Sequence, residues 1–221
     1  MRTYHANEIG NVAVLGHSGC GKTSIIEAMA YRSGLIKRAG TINEGNTISD
    51  YSDEEINRKS SVNLSIIPVE WNNCKINLID VPGTFDFVGE CEAALSVCES
   101  ALIIDPATPG ISAGTKQAMY KARDKAKIIY INGLDNPNSD YPTKLQQLKD
   151  TYGKVIAPIQ VPIMENNKMI GYVNVAKMEG RIFDGDHTIP GDILEDLMDE
   201  ILPIKEMIDE AVANTSDEVL E

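Results

Sequence analysis

The eight residues Gly16-His17-Ser18-Gly19-Cys20-Gly21-Lys22-Thr23 constrain this chain more than any other stretch. They fit the pattern G-x-x-x-x-G-K-[ST], and their flanks supply the setting that pattern needs. Asn11 to Leu15 reads as a buried strand, and Ser24 to Ser33 reads as a helix. Glycines let the backbone curl so that successive N–H groups point at one anion. The helix start adds unpaired donors and a positive dipole end. In such a loop Lys22 reaches the β- and γ-phosphates and the Thr23 hydroxyl binds Mg²⁺. His17, Ser18, Gly19, Cys20, Gly21, Lys22, Thr23 and Ser24 are therefore the expected phosphate-facing set. His17 reads as a spacer whose backbone matters rather than as a base. A glycine-rich turn opening an ordinary helix is the competing reading, and the flanking strand and helix argue against it.

The rest of the chain alternates strand and helix. A polar stretch from Gly34 to Asn63 follows the first helix, long enough to suggest a functional or mobile loop. Leu64 to Glu70 and Lys75 to Asp80 read as a hairpin closed by Trp71-Asn72-Asn73-Cys74. Helices are expected over Asp86 to Ser100, Thr115 to Lys125 and Tyr141 to Tyr152. Strands are expected over Ala101 to Asp105 and Lys127 to Ile131. This order predicts an α/β fold with a mostly parallel sheet, one antiparallel edge pair and helices on both faces. Its ligand belongs at the carboxyl ends of the strands. Near Val155 the texture changes to three short strands (Ile159 to Ile163, Met169 to Val175, Ala176 to Phe183), with Asn166-Asn167-Lys168 as a turn. Acidic helices over Pro190 to Ile201 and Pro203 to Ala213 follow. The expected division is a nucleotide-binding domain over 1–154 and a small α+β insert over 155–221.

Two further motifs carry chemistry. Asp80-Val81-Pro82-Gly83 ends a strand, where a carboxylate can hold Mg²⁺ through water and the Gly83 N–H can sense a γ-phosphate. Asn132-Gly133-Leu134-Asp135 ends another. Guanine presents N1–H and N2–H₂ side by side, so the single carboxylate of Asp135 can accept both bonds and select that base. Asn132 would tie the loop together. A surface Asx turn before Asn136-Pro137 is the alternative for this last motif.

Composition narrows the class. The 221 residues carry a net charge of −13 and are 43% apolar, which supports a core and argues against coating nucleic acid or anionic lipid by bulk charge. The basic cluster Lys116, Lys121, Arg123, Lys125 and Lys127 reads as a solvated helix face. Cys20, Cys74, Cys91 and Cys98 show no metal spacing and read as reduced thiols of a cytoplasmic protein. Apolar runs are too short to span a bilayer, and a monomer is expected.

The succession GHSGCGKT, DVPG, NGLD resembles the G1, G3 and G4 motifs of the P-loop GTPases. The closer likeness is to translational GTPases of the elongation factor G type, carried by Gly83 to Glu90, Ser49-Asp50-Tyr51 and Arg58 to Val62. The resemblance implies GTP or GDP with Mg²⁺ as ligands, and the ribosome as partner of the full-length factor. The Gly34 to Asn63 stretch becomes switch I, with Ser61 joining Thr23 and Asp80 at the metal. Lys22 and Thr84 take the catalytic positions, and the residues after 155 become part of a G′ insert. The chain then corresponds to the N-terminal part of such a factor, without its last G-domain strand and G5 motif. Without γ-phosphate, switch I is expected to be poorly ordered or in a non-GTP arrangement.

Four positions depart from the family pattern. Gly133 stands for a lysine whose stem packs on the nucleotide, a loss of about 1–2 kcal/mol of contact. Thr84 stands for a histidine that orients water. Gly19 replaces an acidic residue, and Lys59 replaces a glycine. Two readings follow: a slow GTPase awaiting an activator, or a nucleotide-binding regulatory module with little hydrolysis. An ATP-using enzyme is the third class, separated from both by its base preference.

Overall fold

The computed structural model describes residues 3–84, 87–166 and 168–213. The chain forms two compact units, Met1–Gly133 and Leu134–Glu221.

The first unit is built on β1 (Ile9–Gly16), β2 (Ser65–Trp71), β3 (Cys74–Asp80), β4 (Ser100–Pro106) and β5 (Ala126–Asn132). They lie in the order β2-β3-β1-β4-β5. β1 runs parallel to β3 and β4, β4 runs parallel to β5, and only β2 with β3 is antiparallel. The helices are α1 (Lys22–Arg32), the short α2 (Asp53–Arg58), α3 (Val88–Val97) and α4 (Ala113–Lys121).

Alternation along the strands sorts the core into two layers. On one face Ala13, Leu15, Ile79, Val81 and Ile103 pack with Ala94 and Leu95 of α3 and Ala118 of α4. On the other, Val14, Leu78 and Ile104 pack with Ile26 and Ala30 of α1. Each fully buried isoleucine contributes about 1.5–3 kcal/mol, so the sheet is clamped from both sides. The hairpin turn is the expected one: Trp71 pairs with Cys74, and Asn72 and Asn73 adopt φ +47° and +67°, the positive pair a two-residue turn requires. Pro68 is tolerated because β2 is an edge strand. The third helix spans Val88–Val97 rather than reaching Ser100, which opens β4 instead. The expected start at Asp86 lies outside the described residues.

The second unit contains α5 (Tyr141–Tyr152), a four-stranded antiparallel sheet in the order β6-β7-β8-β9, and α6 (Glu195–Ala213). Asp140 caps α5, its side chain accepting from Thr143 N at 3.0 Å. The strands are β6 (Gln160–Glu165), β7 (Lys168–Asn174), β8 (Glu179–Asp184) and β9 (His187–Gly191). Val161, Ile163 and Val173 pack with Ile201 and Ile204 of α6, joined by Tyr141. Through Tyr141, α5 packs with this unit, so the packing division precedes the change of texture at residue 155.

Three expectations for this unit need correction. Among the described residues the sheet has four strands, not three: β9 contains only one large aliphatic residue, Ile189, and is made a strand by its hairpin with β8, Asp184 pairing with His187 around Gly185. β8 begins at Glu179 because residues 175–178 form a turn, with Met178 at φ +54°. The two helices expected on either side of Pro203 are one, with Pro203 inside it. Leu197, Met198, Ile201, Ile204 and Ile208 make one apolar stripe against the sheet, and its burial outweighs the roughly 3 kcal/mol a helical proline costs. The expected turn at Asn166-Asn167-Lys168 includes Asn167, which lies outside the described residues.

Candidate functional site

The loop between β1 and α1 is shaped by its glycines. Gly16, Gly19 and Gly21 take φ +143°, +76° and +96°. A side chain at Gly16 would run into the Ile104 carbonyl of β4, and one at Gly21 into the Asn132 amide. Those close approaches make the loop part of the sheet's carboxyl edge. Asn132 donates from Nδ2 to the Cys20 carbonyl at 2.9 Å, while its own carbonyl accepts from Ala107 N at 2.7 Å. The end of β5 thereby meets the loop through Asn132. Lys22 is buried, and its Nζ donates to the carbonyls of Gly16 (3.2 Å) and His17 (3.0 Å). Ser18 and His17 are half-buried, Gly19 is exposed, and Ser24 projects to solvent from the first turn of α1. Burial pushes the Cys20 thiol up, with the Lys22 charge opposing.

Beside the loop lies a pocket of oxygen atoms. Thr23 Oγ1 donates to Asp80 Oδ2 at 2.8 Å and lies 3.3 Å from Ser61 Oγ. Asp80 Oδ1, Asp50 Oδ1, Ser49 Oγ and Thr47 Oγ1 are buried without a hydrogen-bond partner. Burial raises the Asp80 carboxyl to about 6, against the Thr23 and Ser49 hydroxyls and the Lys22 charge, and the nearby Asp50 charge adds to the rise. Burial raises Asp50 as well, while the Ser61 hydroxyl favours its ionised form. Buried acceptors are normally satisfied, so an unpartnered oxygen on each of the two interacting carboxylates Asp80 and Asp50 fits a hard cation that keeps several waters, the coordination Mg²⁺ prefers. Among the described residues no group of three or more His, Cys, Asp or Glu side chains could hold a metal. Thr23, Ser61 and Asp80 are thus brought together. Thr47 has no sequence signal, and Ser49 and Asp50 enter from the sequence only within the family-like Ser49-Asp50-Tyr51 stretch, without a chemical role. The burial of the Asp50 acid in a polar loop is invisible until the loop's packing is known.

The loop expected to be poorly ordered or in a non-GTP arrangement is packed in part: Thr47, Ser49, Asp50, Glu55 and Ser61 are buried, while most of residues 34–46 are exposed. Carboxylates replace the missing hydrophobic periodicity. Glu55 Oε1 accepts from Val62 N and Asn63 N (3.0 and 3.1 Å), and its Oε2 accepts from Ser52 Oγ at 2.7 Å. These bonds hold the Glu55 carboxyl below its usual range despite the opposing burial. Glu90 of α3 accepts from Leu64 N at 3.0 Å.

Gly83 closes the other side. A Cβ there would lie 2.7 Å from Ser18 N, so only glycine lets this backbone approach the loop. Thr84 Oγ1 is buried without a partner and lines a cavity with Phe87, Cys91 and Gln117. Phe85 and Asp86, part of the expected stretch after Gly83, lie outside the described residues. Gly133 has φ +77° and open space where a side chain would begin. Asp135 belongs to the second unit, in a turn where Ser139 Oγ donates to the Leu134 carbonyl at 3.0 Å. All four cysteines are free thiols, and among the described residues no helix is long and apolar enough to cross a membrane.

Known proteins resemble this chain in sequence and fold. Residues 7–214 match the Elongation factor Tu GTP binding domain. Elongation factor G of Mycoplasma genitalium is 26% identical over 99% of the chain and 33% of its own length. The mitochondrial ribosome-releasing factor 2 of Candida dubliniensis is 33% identical over 76% of the chain and 21% of its own length. The elongation factor G-like protein of Mycobacterium tuberculosis is 31% identical over 77% and 24%. A crystal structure from Thermus thermophilus superposes with a TM-score of 0.87 and 29% identity, covering 96% of this chain and 32% of that one. The chain spans about a third of the length of the elongation factor G relatives it matches. With this loop, this oxygen pocket and this sheet order, the chain belongs to the elongation factor Tu GTP-binding domain family, among the elongation factor G-like translational GTPases.

Proposed function

We propose that residues 16–23 hold the phosphates of GTP or GDP, and that the full-length protein is a slow GTPase that acts as a switch on the ribosome. The observation that carries this reading is the Thr23–Asp80–Ser61 cluster with its unpartnered acceptors beside the glycine loop. Mg²⁺, when bound, neutralises charge on the transferred phosphoryl group. The chain's own groups do the rest. Lys22 turns its ammonium from the loop carbonyls toward the phosphates. Main-chain N–H groups of 17–23 supply fixed donors, and the Gly83 N–H approaches from the opposite side. Asp135 reads guanine, with Asn132 bracing the loop. Ser61 and Thr23 offer hydroxyl oxygens to the metal, and hydrolysis releases the loop that carries Ser61.

Thr84 has a shorter reach than the histidine of elongation factor G, so water is oriented poorly and turnover depends on an activator. The functional division we assign is 1–154 for nucleotide binding, α5 included, and 155–221 for a G′-like insert. The protein acts as a cytoplasmic monomer. Single-turnover GTP hydrolysis by the full-length protein, with and without ribosomes, tests the reading. Acceleration by ribosomes supports it, and an unchanged rate refutes the translational role.

A further inference from the structure

α1 carries Lys22 and Thr23 in its first turn and Glu27 just over a turn later. Glu27 is only 3% exposed. Its Oε1 accepts from Gly40 N at 2.7 Å and its Oε2 accepts from Ile48 N at 2.8 Å. One carboxylate therefore closes the loop 40–48 onto the phosphate-binding helix. The loop is a preformed body. Thr41 N donates to Asn46 Oδ1 at 2.7 Å, Glu44 N to Thr41 Oγ1 at 3.2 Å and Gly45 N to the Ile42 carbonyl at 3.2 Å. Gly40 and Gly45 leave no room for a side chain against Asn46 and Ile56. Ile48, one of the two pinned residues, sits between Thr47 and Ser49-Asp50, where Asp50 Oδ1 is buried without a partner and Ser49 and Asp50 act on the Asp80 carboxyl.

We propose that Glu27 is a positioning residue for the metal site: its two-armed grip sets where Thr47, Ser49 and Asp50 stand relative to Thr23 and Asp80. The inference rests on the nucleotide reading above and adds a residue that touches neither nucleotide nor metal. The chemistry requires a carboxylate. Two N–H donors need two acceptors on one side chain, and a glutamine offers one acceptor and turns its NH₂ against the other donor. Two charge-assisted bonds offset the desolvation of a buried anion. A merely structural anchor would stabilise the loop without changing how the protein responds to Mg²⁺.

The test is GDP affinity of the full chain, measured in EDTA and across a magnesium series, for wild type, Glu27→Ala and Glu27→Gln. The gain in affinity that Mg²⁺ confers should fall about tenfold in Glu27→Ala and about threefold in Glu27→Gln. Exchange of the Gly40 and Ile48 amides should quicken in both. If Glu27→Ala melts below the assay temperature, Glu27→Gln alone decides. Wild-type binding with an unshifted magnesium response in the folded variants overturns the inference alone. A wild type that binds no GDP at any Mg²⁺ level overturns the nucleotide reading and this inference with it.

Discussion

The Thr23 hydroxyl donates to the Asp80 carboxylate at 2.8 Å, joining residues 57 positions apart in the chain. The first turn of α1 and the carboxyl end of β3 meet there because β1 and β3 are parallel neighbours, Val14 pairing with Asp80. The contact is a parallel-sheet register made into a chemical site.

Asp80 makes the metal-free protein sensitive to pH. Its folded value is about 6, against an ordinary 3.8. The folded state then binds the proton more tightly than the unfolded chain. Stability should rise as pH falls from 7 toward 4, by an amount on the order of 3 kcal/mol. Asp80→Asn should flatten that slope in EDTA melting curves and raise the melting temperature at pH 7, while weakening Mg²⁺ binding. A slope of opposite sign, or one unchanged in the variant, contradicts the assignment.

Lys22→Ala should lower GDP affinity by about 10²-fold or more, since in the proposed function the buried ammonium turns from the loop carbonyls to the phosphates, a bond at the upper end of charged hydrogen bonds. Isothermal calorimetry measures it. Because Nζ also donates to Gly16 and His17 carbonyls, the melting temperature of the nucleotide-free protein should fall slightly.

Gly133→Lys restores the family's residue at a position with φ +77°. Two effects of opposite sign should appear together. The lysine stem gains about 1–2 kcal/mol of nucleotide contact, while a left-handed backbone costs about 1–2 kcal/mol of folding stability. GDP affinity should rise as the melting temperature falls. A loss in both would show that the stem does not reach the nucleotide.

Pro203→Ala tests the single long α6. Pro203 is exposed within Glu195–Ala213, so alanine restores a backbone donor without disturbing the core. Stability should rise by about 1–3 kcal/mol. No change would indicate two helices abutting at this residue.

The sequence conveyed the first unit far better than the second. Gly16 to Thr23, the Asn72-Asn73 turn and the apolar strands each carry local signals that the tertiary structure obeys. β9 and the continuity of α6 carry none: His187–Gly191 is a strand because β8 offers it hydrogen bonds, and α6 crosses Pro203 because the sheet beneath rewards one stripe. At the site, Thr23, Asp80 and Asn132 were legible from motif spacing. Asp50 and Glu27 were not, because a buried acid in a polar loop looks like any solvated acid until its amide partners are known. The packing of residues 40–63 was hidden for the same reason, since it comes from Glu27 and Glu55 gripping backbone N–H groups rather than from periodic apolar residues.

The most direct test of the account is titration of the protein with GDP and with ADP, each with Mg²⁺, by calorimetry, with and without the Lys22→Ala change. Saturable GDP binding is expected, weakened about 10²-fold or more by Lys22→Ala, with ADP weaker than GDP by at least about 10²-fold. Equal affinity for ADP, or GDP affinity unchanged by Lys22→Ala, would contradict a guanine nucleotide at residues 16–23.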